Sequence, residues 1–162
     1  MEKHPEIQSL PREEIKLYQE KRLTETLEYL AAKSPFYQRQ FRDNGIDINK
    51  IRTLEDLRQI PVTTKSDLQV HGSEFCCVNP EEIIDYSTTS GTLGDPVTFT
   101  ETEGDLRHLA YNEQLSFQTA GCTANDIMQE MVTIDRRFMA GLAYFLGARD
   151  LGMGVVRVGN GI

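Results

Sequence analysis

The stretch Thr88-Thr89-Ser90-Gly91-Thr92-Leu93-Gly94-Asp95-Pro96 constrains the fold more than any other part of the chain. Its glycines and its proline oppose both a continuous helix and a continuous strand. Ile83–Thr88, rich in β-branched residues, precedes it, and Val97–Thr100 follows it. This pattern predicts a β-hairpin whose connection is a hydroxyl- and glycine-rich loop. Such a loop suits an oligophosphate. Glycine lets backbone N–H groups approach closely, and the hydroxyls of Thr88, Thr89, Ser90 and Thr92 add donors. The same residues also make an ordinary polar turn, so the loop alone leaves both readings open. It is not a Walker A sequence, because G-x-x-x-x-G-K-[ST] is absent and no lysine lies within it.

Residues 1–81 read as mainly helical. A first helix is predicted from Pro11 to Lys33, with Ser9 as its cap and Glu13 and Glu14 at the positive end of its dipole. Ile15, Tyr18, Leu23, Leu27, Leu30 and Ala31 recur at helical spacing. They offer either a core face or a homodimer surface. Ser34-Pro35 ends this helix, and a second runs from Phe36 to Asp43, stopped at Asn44-Gly45. Thr53–Asp56 and Thr64–Asp67 have the form of capping boxes, each opening a short helix.

Residues 82–162 alternate. After the hairpin, Thr102–Asp105 repeats the capping pattern and opens a helix to about Ala120, which Gly121 stops. Ile127–Thr133 and Val155–Val158 read as strands flanking a helix from Phe138 to Leu151 that ends at Gly152. A crossover of that length predicts a parallel pair joined right-handedly. The expected fold class is therefore α/β: a helical N-terminal segment, then the start of a mixed sheet with flanking helices. A parallel strand needs cover on both faces, and here no helix follows the last strand. Residues 1–162 are accordingly expected to be an incomplete N-terminal domain of a longer protein.

Net charge narrows the partners. With 17 Lys and Arg against 25 Asp and Glu, the chain carries −8, a poor basis for sequence-independent nucleic-acid binding. No apolar run approaches the roughly 20 residues of a membrane helix, and Met1–Leu10 lacks the apolar segment of a secretory signal. A cytoplasmic protein is expected. Cys76, Cys77 and Cys122 have no metal-binding spacing and read as free thiols. His4, His71 and His108 stand apart from any ligand pattern, so no metal site is expected.

Several linked segments carry a resemblance to a known family. Thr89–Pro96 resembles the S-S-G-T-T-G-K-P signature of acyl- and aryl-CoA ligases in the adenylate-forming superfamily. Ile60–Leu68 is similar to the L-P-x-T-T-K-x-D-L segment of phenylacetate–CoA ligases. Gly147-Ala148-Arg149-Asp150-Leu151-Gly152 resembles their G-A-E-R-L-G, and Val156–Gly159 looks like the end of the next strand. The resemblance implies the N-terminal domain of a larger adenylate-forming enzyme. It implies ATP, Mg²⁺ and coenzyme A, with a small carboxylic acid as the substrate. It also implies that Thr89, Ser90, Gly91, Thr92 and Gly94 contact the β- and γ-phosphates.

The sequence departs from the family at three places. Leu93 replaces a threonine, and Asp95 stands where lysine is usual. The aromatic and glycine-rich run Y-G-Y-G-L-F of the acyl pocket aligns with Thr133-Ile134-Asp135-Arg136-Arg137-Phe138. Only Phe138 survives, followed by the small residues Ala140 and Gly141, and these three are the expected acid-binding residues. Arg136 and Arg137 read either as receptors for a polar group on the substrate or as surface residues. No catalytic residue is assigned, and Lys65 is not read as one. The main functional expectation is an acid–CoA ligase whose 162-residue chain is inactive by itself. The alternative is a non-catalytic nucleotide-binding or interaction module that retains the fold.

Overall fold

The computed structural model describes residue 7 and residues 9–89 and 95–159. The chain divides into two compact units, with the boundary between Val78 and Asn79.

The first unit is helical. Helix α1 spans Arg12–Lys33 and α2 spans Pro35–Asp43. Ser9 does not cap α1. Pro11 occupies the N-cap without a side-chain hydrogen bond, and its carbonyl instead accepts from Glu14 and Ile15 at 3.0 and 3.1 Å. Ser34 separates the two helices and caps the second by accepting from the Tyr37 backbone. Gly45 takes φ +63° just beyond α2, the left-handed stop that its position suggested.

Both capping boxes form. The Asp56 carboxylate accepts from the Thr53 backbone at 2.9 Å ahead of a 3₁₀ turn over Leu54–Gln59. Asp67 does the same for Thr64 at 2.8 Å, opening α3, Lys65–His71. Leu27, Phe41 and Ile51 make the core, with Leu23, Leu30, Ala31, Tyr37, Ile46, Ile48 and Ile60 packed around them. Leu23, Leu27, Leu30 and Ala31 of the α1 stripe thus pack into the interior of their own unit. A second cluster stacks Phe36 on Phe75 at 4.1 Å, beside Tyr37 and His71.

The second unit contains the strands, arranged as two small sheets. Strands β1 (Ile83–Thr88) and β2 (Thr98–Thr102) pair antiparallel; β3 (Ile127–Glu130) and β4 (Gly154–Arg157) pair parallel. The hairpin and the parallel pair are both as the sequence predicts. The strand ends differ. Val97 precedes β2, and β3 stops at Glu130 because its last partner on β4 is Arg157. Residues 131–133 therefore lie outside the ladder.

Two helices pack in this unit: α4, Glu103–Thr119, opened by the Thr102–Asp105 capping box, and α5, Met139–Leu151. Their approach is close because Gly147 has no side chain. A Cβ there would fall 2.4 Å from the Glu113 Cβ. Ala148 beside it is fully buried. Small residues thus set the helix–helix distance, which is the physical role of the Gly147-Ala148 pair.

Candidate functional site

The hairpin delivers the loop. Thr89 closes its neck twice: its backbone N–H donates to the Val97 carbonyl at 3.0 Å, and its Oγ1 accepts from the Val97 N–H at 3.0 Å. The hydroxyl of Thr89 therefore keeps its own proton available to donate. Ser90, Gly91, Thr92, Leu93 and Gly94 lie outside the described residues. Asp95, at the far side of the loop, is exposed.

A second element meets the first at this neck. The N–H of Thr88 donates to the Arg137 carbonyl at 2.9 Å. Arg137 belongs to the turn between β3 and α5, so the phosphate-type loop and the run aligned with the acyl pocket are joined by a backbone hydrogen bond. That turn is tightly made. Thr133 Oγ1 donates to the Asp135 carboxylate, the Asp135 N–H donates back to Thr133 Oγ1 at 3.2 Å, and the Phe138 N–H donates to the Asp135 carbonyl at 3.2 Å.

Arg136 and Arg137 hold φ values of +57° and +60°. Left-handed backbone at a residue with a long side chain costs on the order of 1–3 kcal/mol and collects at functional sites. Glycine would adopt it without strain, and position 136 aligns with a glycine of the family's Y-G-Y-G-L-F run. Both arginines are exposed.

Of the expected acid-binding residues, Phe138 is the N-cap of α5 and 38% exposed, while Ala140 is half-buried in the first turn. Gly141 is buried against the turn; a Cβ there would fall 2.0 Å from the Thr133 carbonyl oxygen. That contact fixes how the turn folds onto α5, and no other residue type fits it.

Two buried carboxylates lie in the same unit and were not singled out by the sequence. Glu101 on β2 is 8% exposed, and Ser87 Oγ on β1 donates to its Oε1 at 2.6 Å. Burial pushes the Glu101 carboxyl up, against the opposing effect of the Ser87 hydrogen bond. Glu130 ends β3 and is 3% exposed, with neither oxygen hydrogen-bonded among the described residues. Burial raises its carboxyl as well, partly offset by the charge of Arg157. Arg157 sits opposite it in register and lies over the Phe145 ring at 5.2 Å. Charged residues within strands read as solvent-facing by default; only the alternation that pairs Glu130 with Met128 on one face hinted otherwise.

The remaining candidates sit elsewhere. Lys65 is exposed at the first position of α3, within the capping box. His71 pairs with Glu74 at 2.9 Å, and Arg39 meets the same carboxylate. Burial and the adjacent Cys76 push the Cys77 thiol up, the opposite of an activated thiolate. Among the described residues no group of three or more His, Cys, Asp or Glu is placed to hold a metal ion, and no helix is long and apolar enough to cross a membrane.

Known proteins resemble this chain along nearly all of its length. No family model matches. The phenylacetate–coenzyme A ligase of Thermus thermophilus is 35% identical over 159 residues, covering 98% of this chain and 36% of that protein. The Escherichia coli enzyme of the same name is 30% identical over 156 residues, covering 96% and 36%. Among solved structures, a 2-hydroxyisobutyryl-CoA ligase in complex with 2-HIB-AMP and CoA superimposes with TM-score 0.88 at 25% identity, covering 98% of this chain and 34% of that one. The chain spans about a third of the length of these relatives. It is homologous to the N-terminal part of phenylacetate–CoA ligases, acyl-CoA ligases of the adenylate-forming family.

Proposed function

We propose that this homologue of the phenylacetate–CoA ligases provides the phosphate-contacting part of an AMP-forming acid–CoA ligase. In that reaction a substrate carboxylate attacks the α-phosphorus of ATP. Pyrophosphate leaves, and the acyl-adenylate forms. The thiol of coenzyme A then attacks the acyl carbon and AMP departs. Thr89, Ser90, Gly91, Thr92 and Gly94 are proposed to hold the β- and γ-phosphates and orient pyrophosphate as it leaves. Catalysis of this kind rests on positioning and on charge stabilisation. Mg²⁺ would offset phosphate charge, and the described residues offer no dedicated metal cluster of their own.

Phe138, Ala140 and Gly141 are proposed to line one side of the acid pocket. The observation that carries this reading is the Thr88–Arg137 hydrogen bond. It sets the acid-side turn directly against the base of the loop, so the two reactants would meet between them. The solved relative in complex with 2-HIB-AMP and CoA supports the same pair of ligands here. Use of ATP and CoA accords with action in the cytoplasm. Leu93 and Asp95 favour a second reading, a nucleotide-binding module without chemistry, because one hydroxyl and one cation are gone from the loop.

Carboxylate-dependent exchange of pyrophosphate into ATP separates the two readings. A protein that joins these residues to the remaining two thirds of such an enzyme should catalyse exchange with some carboxylic acid. The 162-residue chain by itself should not. Nucleotide binding with no exchange across a broad panel of acids would favour the non-catalytic module.

A further inference from the structure

Both sheets of the second unit carry apolar side chains on the outside. In a sheet covered on one side, alternate positions normally turn apolar side chains to the core and polar ones to water. The β3–β4 register sets Ile127 and Gln129 on one face with Gly154 and Val156, and Met128 and Glu130 on the other with Val155 and Arg157. Helix α5 lies on the second of these faces, where Arg157 rests over Phe145. That covered face holds the buried Glu130. On the uncovered face Ile127 is 75% exposed and Val156 51%. Alternation adds Met131 and Val158, both exposed and each one residue beyond the ladder. Among these six positions only Gln129 is polar, and none is charged. The hairpin repeats the inversion, with Ile84 and Tyr86 exposed while Ser87 and Glu101 are buried.

Burying a carboxyl while leaving apolar side chains in water is unfavourable on both counts. Parallel strands are covered on both faces, and the covers are helices. The open face is two strands wide and five residues long, on the order of 200 Å². A stable interface between two copies buries about 800 Å² on each, so a second copy seated here would be held poorly. In the relatives, by contrast, about two thirds of the polypeptide lies outside the part that this chain matches.

We infer that the face formed by Ile127, Met131, Val156 and Val158 is the seam at which the other two thirds of a phenylacetate–CoA ligase-like enzyme docks, laying the apolar side of an amphipathic helix across β3 and β4. This rests on the reading of the chain as the N-terminal part of such a ligase, and it names the surface through which that part joins the rest. The docking helix needs apolar residues at helical spacing and no charge on the side that meets the sheet, because the sheet offers no ionic partner there.

The test is co-expression of the tagged 162-residue chain with the part of the Thermus thermophilus ligase that it does not match, read as the amount of that part retained on the tag. The parent should retain it. Ile127→Lys/Val156→Lys should retain about tenfold less, since two ammonium groups would enter an apolar contact. The same variant should melt at the parent's temperature, because both side chains are exposed in the chain alone. Val70→Lys, at an exposed position of α3, should retain as much as the parent. Equal retention by the parent and the double variant overturns the inference, and so does a parent that retains nothing. A parent dimer that the double variant splits, and that the ligase part does not displace, would make a second copy the occupant and overturn it too. Carboxylate-dependent exchange of pyrophosphate into ATP by the copurified pair keeps the two claims apart. A pair that needs this face but exchanges with no acid leaves the seam standing and removes the ligase reading. Exchange by a pair that the double variant still forms removes the seam alone.

Discussion

The two units of this chain are built by different rules. In residues 9–78 local preference and tertiary packing agree except at Gln40, whose buried Oε1 has no partner among the described residues. Capping boxes open the short helices, Gly45 occupies a left-handed position, and Leu27, Phe41 and Ile51 form an apolar centre. In residues 79–159 the same devices appear, since Thr102 and Asp105 cap α4 and Gly152 stops α5 at φ +89°. There, however, they sit beside violations. Two arginines hold left-handed backbone, and Glu101 and Glu130 are buried with oxygens that lack partners among the described residues. Consistency across levels marks the parts of a fold that serve stability alone, and local conflict marks the parts under another constraint. The contrast accords with the proposed site, which lies in the second unit.

Substitutions that collapse the contrast should have the largest effects. Gly141→Val drives a side chain into the Thr133 carbonyl, 2.0 Å from the ideal Cβ. It should destabilise the second unit by about 3 kcal/mol or more, as overpacking against unyielding backbone does. Thermal melting should report it. Leu27→Ala should cost about 2–5 kcal/mol through a cavity in the first unit. A chemical-denaturation midpoint checks that figure. Nucleotide binding measured at a temperature where this variant stays folded should be unchanged, because no site residue lies in that core.

A medium effect should come from pH. Glu130 has a folded pKa raised above its unfolded value. Its contribution is therefore fully present below the unfolded pKa and is lost as pH rises through the folded one. Stability should fall on going from acidic to neutral pH. Glu130→Gln should remove that part of the slope and stabilise the fold at neutral pH by on the order of 1 kcal/mol, read as a higher melting temperature. The exposed helix caps run the other way. Asp56 and Asp67, lowered mainly by hydrogen bonds from Thr53 and Thr64, stabilise above their unfolded pKa and lose that contribution as pH falls through the folded one. Melting curves from acidic to neutral pH for the parent and E130Q would separate the two trends.

The smallest effect is expected at an ordinary cap. Thr64→Ala removes the acceptor for the Asp67 N–H at 3.2 Å and should cost about 1 kcal/mol. Its thermal shift should leave ligand binding untouched.

Much of this architecture was legible in the sequence because it is encoded locally. A capping box needs only a threonine and an aspartate three residues apart, and a hairpin needs two β-branched runs around turn residues. Ser9 misled because Pro11 already presets the first turn of α1 and needs no side-chain cap. Strand β3 came out shorter than Ile127–Thr133, and β4 begins and ends one residue before Val155–Val158, because a strand ends where its partner's ladder ends, which composition does not encode.

The proposed site is readable in the sequence as a motif, and the contacts around it are not. Thr89 and Phe138 can be named from the sequence. The hydrogen bond that joins Thr88 to Arg137 connects residues far apart in the chain, and nothing local announces it. The left-handed arginines were hidden for a related reason: backbone of that kind is read from glycine, and here the glycine is absent. The burial of Glu101 and Glu130 depends on what packs over the strands, which a strand's own residues do not reveal.

The central claim is that the loop at 88–96 holds the phosphates of ATP during adenylate formation. Gly91→Val in the intact enzyme tests it most directly, read as carboxylate-dependent exchange of pyrophosphate into ATP. A branched side chain at that position would obstruct close approach of the backbone to the phosphates. The account predicts that exchange falls sharply while the melting temperature holds. Exchange at the parent rate in a folded G91V protein would contradict it and remove the loop from the mechanism.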